Sequence, residues 1–355
     1  MIRTVEEPAF RFRSRPLPSC ILDRVWLAII FLLSANAFAQ WQMQVSHTKE
    51  SLRGVSVVDA SIIWASGTGG TYLLTSDGGK NWAAHQVPGA ESLDFRGVKA
   101  FGPHAFLLAA GPGDKSRIYH TADSGNHWEL QFTNPEAKGF LDCMAFSDEQ
   151  HGIVVGDPVN GKFQILRTDD GGLHWRYVDP NGMPAAGDSE GAFAASNSCI
   201  TVNGQNAWFV TGGSAARVFH SSDGGTNWRV AETPVVHGAA SQGIFSVAFK
   251  DARHGVIAGG DYSRPEQAGA NLALTDDGGR TWRLAAVQQQ KYFSAIGYVA
   301  GTDAIVAVGA ASALSVNDLR GWTFLQPLSL NALDSHQGMV YAVGPNGSIA
   351  TYQLK

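Results

Sequence analysis

Between Gly54 and Val87 the chain runs GVSVVD, IIWASG, TYLLTS and WAAHQV, each a short alternating or wholly apolar stretch closed off by Gly, Asp, Asn or polar residues. Stretches of that length and period predict strands, and no segment after Trp41 holds a helical period over three turns. The pattern predicts an all-β chain of short strands joined by tight turns.

The pattern also repeats. An octapeptide with Thr or Ser first, Asp third, Gly fifth and Trp last occurs at Thr75–Trp82, Thr121–Trp128, Thr168–Trp175, Ser221–Trp228 and Thr275–Trp282. A decayed copy, SVNDLRGW, occupies Ser315–Trp322. Successive Trp residues are separated by 46, 47, 53, 54 and 40 positions, and Trp41 precedes the first by 41. Seven units of four strands, with the octapeptide between the third and fourth, predict a seven-bladed β-propeller of four-stranded blades over 40–355, one domain. The last unit, ending in GSIATYQLK, is one strand short. WQMQV at Trp41–Val45 copies the segment that follows each octapeptide, so a strand at about 41–46 is expected to complete the C-terminal blade and close the ring.

Composition narrows the class. Of 355 residues 44% are hydrophobic, 16% charged and 41 are Gly; the net charge is −5 with no basic run, which argues against nucleic-acid binding. Five Arg precede the apolar run VWLAIIFLL, and Ala37-Phe38-Ala39 follows it, the layout of a signal peptide cut after Ala39. The run is too short for a permanent span of about 20 residues. Cys20 precedes it, unlike a lipoprotein cleavage site. The expectation is an exported protein, periplasmic or extracellular and monomeric. Cys143 and Cys199 lie in apolar runs and read as two buried free thiols, with pairing in an oxidising compartment left open.

The octapeptide resembles the Asp box of BNR repeats. In families that carry it the box is a structural hairpin away from the binding face, so Asp77, Trp82, Asp123, Trp128, Asp170, Trp175, Asp223, Trp228, Asp277 and Trp282 are expected to be scaffold. The number of units, their spacing and stretches such as SLRGVSVVDASIIWASGTGGTYLLTSDGGKNW are similar to the photosystem II stability/assembly factor-like propellers. That resemblance implies a non-enzymatic, chaperone-like binding protein, and carries no photosynthetic role by itself. Sialidases also carry such boxes, and a glycan-cleaving enzyme is the alternative; the Arg-Ile-Pro of sialidases is absent.

Motifs for chemistry are few. Gly187-Asp-Ser-Glu-Gly191 matches a nucleophile elbow in letters, but it lies in a loop followed by residues that read as strand. No spacing indicates a metal or cofactor, and no catalytic residue is assigned. The long connections Asp179–Gly191, Glu232–Gln242 and Asp261–Ala270 all fall on the face opposite the octapeptides, which marks that face for recognition. The candidate binding residues there are Arg53, Arg96, Arg117, Asp142, Asp157, Glu190, Arg217, Asp261 and Tyr262, suited to a partner protein or an envelope glycan. Bridging of adjacent blades by Arg53, Arg96 and Asp142 is the competing reading.

Overall fold

A computed structural model describes residues 41–287, 290–310, 313–315, 321–326 and 328–354. Residues 1–39, where a signal segment is expected, and residues 316–320 of the decayed octapeptide lie outside the described residues.

Antiparallel sheets succeed one another along the chain. The first is Leu52–Val57, Ile63–Gly67, Thr71–Thr75 and Ala83–Gln86; the second is Phe95–Phe101, His104–Ala109, Arg117–Thr121 and Glu129–Thr133. The third is Leu141–Phe146, Gly152–Val159, Lys162–Thr168 and Arg176–Tyr177; the fourth is Ile200–Asn203, Asn206–Val210, Arg217–Ser221 and Arg229–Glu232. In each, the second strand is buried on both faces between neighbouring sheets while the fourth faces solvent: Ile63–Gly67 is buried throughout and Ala83–Gln86 is almost wholly exposed. This is why second strands read as continuous apolar runs and fourth strands as polar ones. The molecule is an all-β propeller.

The expected set of uniform blades needs correction. Among the described residues six sheets have four strands, not seven; the remaining sheet has six. Gln242–Phe249, Gly255–Asp261, Leu272–Thr275 and Arg283–Leu284 are joined there by Gly212–Gly213 and Glu190–Gly191. The cause is local: just beyond Asn206–Val210, Gly212 pairs across to Gly243 of the next sheet, an approach no side chain permits because a Cβ at Gly243 would lie 2.2 Å from the Gly212 Cα.

The sheet that ends the chain consists of Ala332–His336, Met339–Val343, Ile349–Gln353 and, outermost, Gln42–Gln44. Gln42, Met43 and Gln44 pair with Thr351, Ala350 and Ile349, and the Trp41 ring packs 5.8 Å from that of Tyr352. Gln44 also reaches the first sheet, where its Oε1 accepts from Trp82 Nε1 at 2.8 Å. Innermost strands are tied edge to edge by side chains that accept backbone N–H groups: Val57 N donates to Asp334 Oδ2, Ala100 N to Ser56 Oγ and Ile296 N to Ser246 Oγ, at 2.8 to 3.1 Å.

The two thiols are not free. Cys143, on an innermost strand, is bonded to Cys199, immediately before Ile200–Asn203, and both are fully buried. Spacing concealed this because 56 residues separate them while their Cα atoms are 5.9 Å apart.

Candidate functional site: the channel mouth

The five octapeptides make one set of bonds. The first residue's hydroxyl donates to the Asp and accepts the N–H of the fifth residue; in Thr168 these distances are 2.9 Å to Asp170 and 2.8 Å from Gly172. Each Asp also accepts the backbone N–H of the residue before Trp, as His174 N does to Asp170 at 2.9 Å. That residue's own side chain returns to the same carboxylate: Asn81 to Asp77, His127 to Asp123, His174 to Asp170, Asn227 to Asp223 and Thr281 to Asp277, at 2.6 to 2.8 Å. These bonds hold the carboxyls of Asp77, Asp123 and Asp170 down at about 2. With every Asp committed to its own turn, nothing in them is directed at a ligand. Trp82, Trp175 and Trp228 are buried, and Trp128 and Trp282 are half-buried.

The opposite face differs because its innermost strands are bulged. Register shifts between Leu52 and Gly54, Phe95 and Gly97, Leu141 and Cys143, Ile244 and Ser246, and Phe293 and Ala295 leave one unpaired residue in each strand. Those residues are Arg53, Arg96, Asp142, Phe245 and Ser294. A bulge re-aims its side chain; the five fall at equivalent places in their strands, and Ser294 Oγ turns to the carbonyls of Leu330 and Asn331 at 3.1 and 2.8 Å. The sequence picked out three of the five by their charge.

Burial, then the charge of Arg96, lowers the Arg53 pKa, with Asp94 and Tyr292 opposing. Arg96 is held by Asp94 (Nε to Oδ2, 2.7 Å) and by the carbonyl of Ala194 (Nη1, 2.8 Å). Arg53 Nε, by contrast, is buried without a hydrogen-bond partner among the described residues. Asp142 is fully buried, and burial followed by the charge of Asp157 raises its carboxyl well above the usual range. Asp157 is half-buried, is raised by burial, and accepts from Ala192 N at 3.0 Å.

Other expected residues are occupied within the protein. Glu190 has no exposed side-chain surface; it takes Arg217, Thr211 Oγ1 (2.6 Å) and Gly187 N (2.7 Å), and so locks the long loop before it. Asp261 accepts from Ser263 (N 3.0 Å, Oγ 2.6 Å), Gln242 and Arg264, which lower its pKa. Arg117 turns to Asp114, donating to its carbonyl. Tyr262 remains about half exposed, and its ring meets the stacked pair Phe193–Phe245 edge-on at 6.3 and 6.1 Å. Tyr292 packs edge-on against Phe245 at 4.9 Å. Sequence reasoning named Tyr262 but missed Phe193, Phe245 and Tyr292, because the members are far apart in the chain and only the bulges and long loops bring them together.

Beside it lies an open groove of about 600 Å³ lined by Lys138, Asp157, Ser189, Gly191, Phe193 and Gly213. The clefts on the octapeptide face are lined by turn residues bonded to one another, such as Asp148 with His151 and Asp251 with His254. Among the described residues no three His, Cys, Asp or Glu are grouped to hold a metal ion, and no helix is long and apolar enough to cross a membrane.

Residues 130–241 match the family model described as photosynthesis system II assembly factor YCF48. Over that segment the chain is similar to the photosystem II assembly factor-like BNR propellers. Over 87 residues it is 37% identical to the photosystem II assembly lipoprotein Ycf48 of Synechococcus sp. (strain CC9902). That stretch covers 24% of this chain and 22% of the relative. Two solved structures share the fold: YCF48 bound to D1 peptide (TM-score 0.64, 15% identity, 90% of this chain and 97% of that one) and YCF48 from Cyanidioschyzon merolae (TM-score 0.62, 15% identity, 89% and 99%). The matched segment 130–241 includes Asp142, Asp157, the locked loop and Phe193.

Proposed function

We propose that this is an exported, non-enzymatic binding protein that assists the assembly of a partner protein docked on the channel mouth. The observation that carries the reading is Arg53: a half-buried guanidinium with an unpartnered Nε, near enough to Tyr292 to feel its charge, where Tyr292 packs on Phe245 of the group that includes half-exposed Tyr262. Such a surface suits a polypeptide segment presenting an anionic group next to apolar side chains. A protein of the same fold that is described as bound to D1 peptide supports a polypeptide ligand in preference to an envelope glycan. Export is supported by the leader and by the buried disulfide, which persists in oxidising compartments. The octapeptides, on this reading, are scaffold.

The test is capture from the native envelope with tagged protein, comparing wild type with Arg53→Glu and Tyr262→Ala, followed by titration of the purified partner. A partner retained by wild type and lost by both variants, each folded by circular dichroism, is the expected result. Equal retention by the folded variants overturns the assignment of the mouth. Turnover of a glycan substrate by the wild type would overturn the non-enzymatic reading.

A further inference from the structure

The segment 191–199, between the locked loop and the fourth sheet, does not run around the rim. Arg96 of the second sheet donates to its Ala194 carbonyl at 2.8 Å. Met144 N of the third sheet donates to Asn197 Oδ1 at 2.8 Å, and Cys143 of that sheet is bonded to Cys199. On the other side, Phe193 stacks on Phe245 at 4.0 Å, and Ser198 Oγ donates to Ser246 Oγ at 2.7 Å, both in the six-stranded sheet. Ser196 Oγ donates to the carbonyl of Ser294, in the innermost strand Phe293–Tyr298, at 2.8 Å. Six of these nine residues thus reach innermost strands on opposite sides of the ring, which a peripheral loop cannot do, and none of the nine is exposed.

The surroundings are shaped for it. A Cβ at Gly97 would lie 2.5 Å from Asn197 Oδ1, and one at Gly212 would lie 2.1 Å from the Phe193 ring. Any larger residue at either place would push the segment out of the channel. We propose that residues 191–199 form a plug across the central channel, stapled by Cys143–Cys199, that makes the mouth a blind, one-sided docking surface and positions Arg96 and Phe193 on it.

A partner segment therefore lies across the mouth and does not thread the ring. This inference rests on the mouth being the docking face, but the plug itself is testable without a partner. Asn197 is a positioning residue in this scheme, since it meets no ligand and acts through the backbone of Met144.

The experiment is hydrogen exchange read by mass spectrometry on the full chain, comparing wild type with Asn197→Ala, Asn197→Asp and Cys143→Ser/Cys199→Ser. Asn197→Ala removes the acceptor for Met144 N and is expected to raise exchange across 191–199 at least tenfold, with the octapeptide hairpins unchanged. Asn197→Asp keeps an acceptor oxygen and should restore wild-type exchange. The double serine variant should loosen the same peptides; if it fails to fold, the Asn197 pair alone decides. Unchanged protection of 191–199 in Asn197→Ala, or loosening that Asn197→Asp does not reverse, overturns the plug. Partner capture is then measured on the same proteins. Loss in Asn197→Ala with recovery in Asn197→Asp supports positioning, and retention despite a loosened plug overturns it. Failure of Arg53→Glu to affect capture bears on the docking face and leaves the exchange result untouched.

Discussion

Trp41→Ala and Gln44→Ala probe the closure of the ring at two different contacts. Trp41 is only 7% exposed, packed on Tyr352 at the outer edge of the last sheet. A buried Trp removes about 200 Å² from water, worth about 5 kcal/mol at roughly 25 cal/mol per Å² as an upper bound, and substitutions of this kind cost about 3–5 kcal/mol. Its Nε1 has no hydrogen-bond partner among the described residues, so packing alone carries the loss. Gln44→Ala acts differently, leaving the indole N–H of Trp82, itself 4% exposed, without its acceptor. An unsatisfied buried donor costs about 1–3 kcal/mol. In a Trp82→Phe background that donor is gone, so the further cost of Gln44→Ala should shrink to a few tenths of a kcal/mol. Urea denaturation followed by Trp fluorescence and far-UV circular dichroism measures all of these, with the slope checked for constancy. A Trp41→Ala protein that unfolds with the wild type would refute the closure. An undiminished Gln44→Ala cost in the Trp82→Phe background would refute the bond across the seam.

Thr168→Val keeps the shape of a buried hydroxyl but strands the Gly172 N–H, and should lower stability by about 1–3 kcal/mol in the same denaturation assay. His220 stacks on Trp208, accepts from Arg229 at Nδ1 and bonds Asn206 through Nε2; burial and Arg229 push it down to about 4. Because the folded value lies below the unfolded 6.5, stability present above pH 6.5 is lost as pH falls towards 4, and an NMR titration of the ring should show a midpoint well below 6. Asp142 has the opposite sign: its raised folded value means that stability declines as pH rises from 3.8, so Asp142→Asn at pH 7 should melt no lower than wild type, as differential scanning calorimetry would show. The carboxylates of Asp77, Asp123 and Asp170, held at about 2, give stability that is present above pH 3.8 and lost as pH falls to 2; acid unfolding should move to higher pH when any of them becomes Ala.

Strands, turns and the pairing of 42–44 with 349–351 were legible because each leaves a local mark: period, turn residues, and a copied WxxQ segment whose second example places Gln131 against Trp175. Arg53, Arg96 and Asp142 were legible as charges at equivalent strand starts. What could not be read was anything fixed by distant contact. The bulges appear only as one residue more than the partner strand needs, a surplus that a single chain does not display. Residues 192–198 have strand-like composition and so read as strand, yet they are held by partners 35 to 98 positions away in other sheets. The free-thiol reading failed for the same reason, since burial was inferred correctly and proximity was not.

The five bulges carry a consequence for how such a molecule changes its clientele. Each supernumerary residue is released from the ladder, so its identity is not dictated by cross-strand pairing, and the five positions here already hold Arg, Arg, Asp, Phe and Ser on one backbone plan. On the proposed docking face, an exchange at Arg53 or Arg96 would alter the charge offered while the sheets behind keep their register. The positions are not independent dials, since Arg96 bears on both Arg53 and Asp142, and a replacement there resets the other two without disturbing the ladder that holds them.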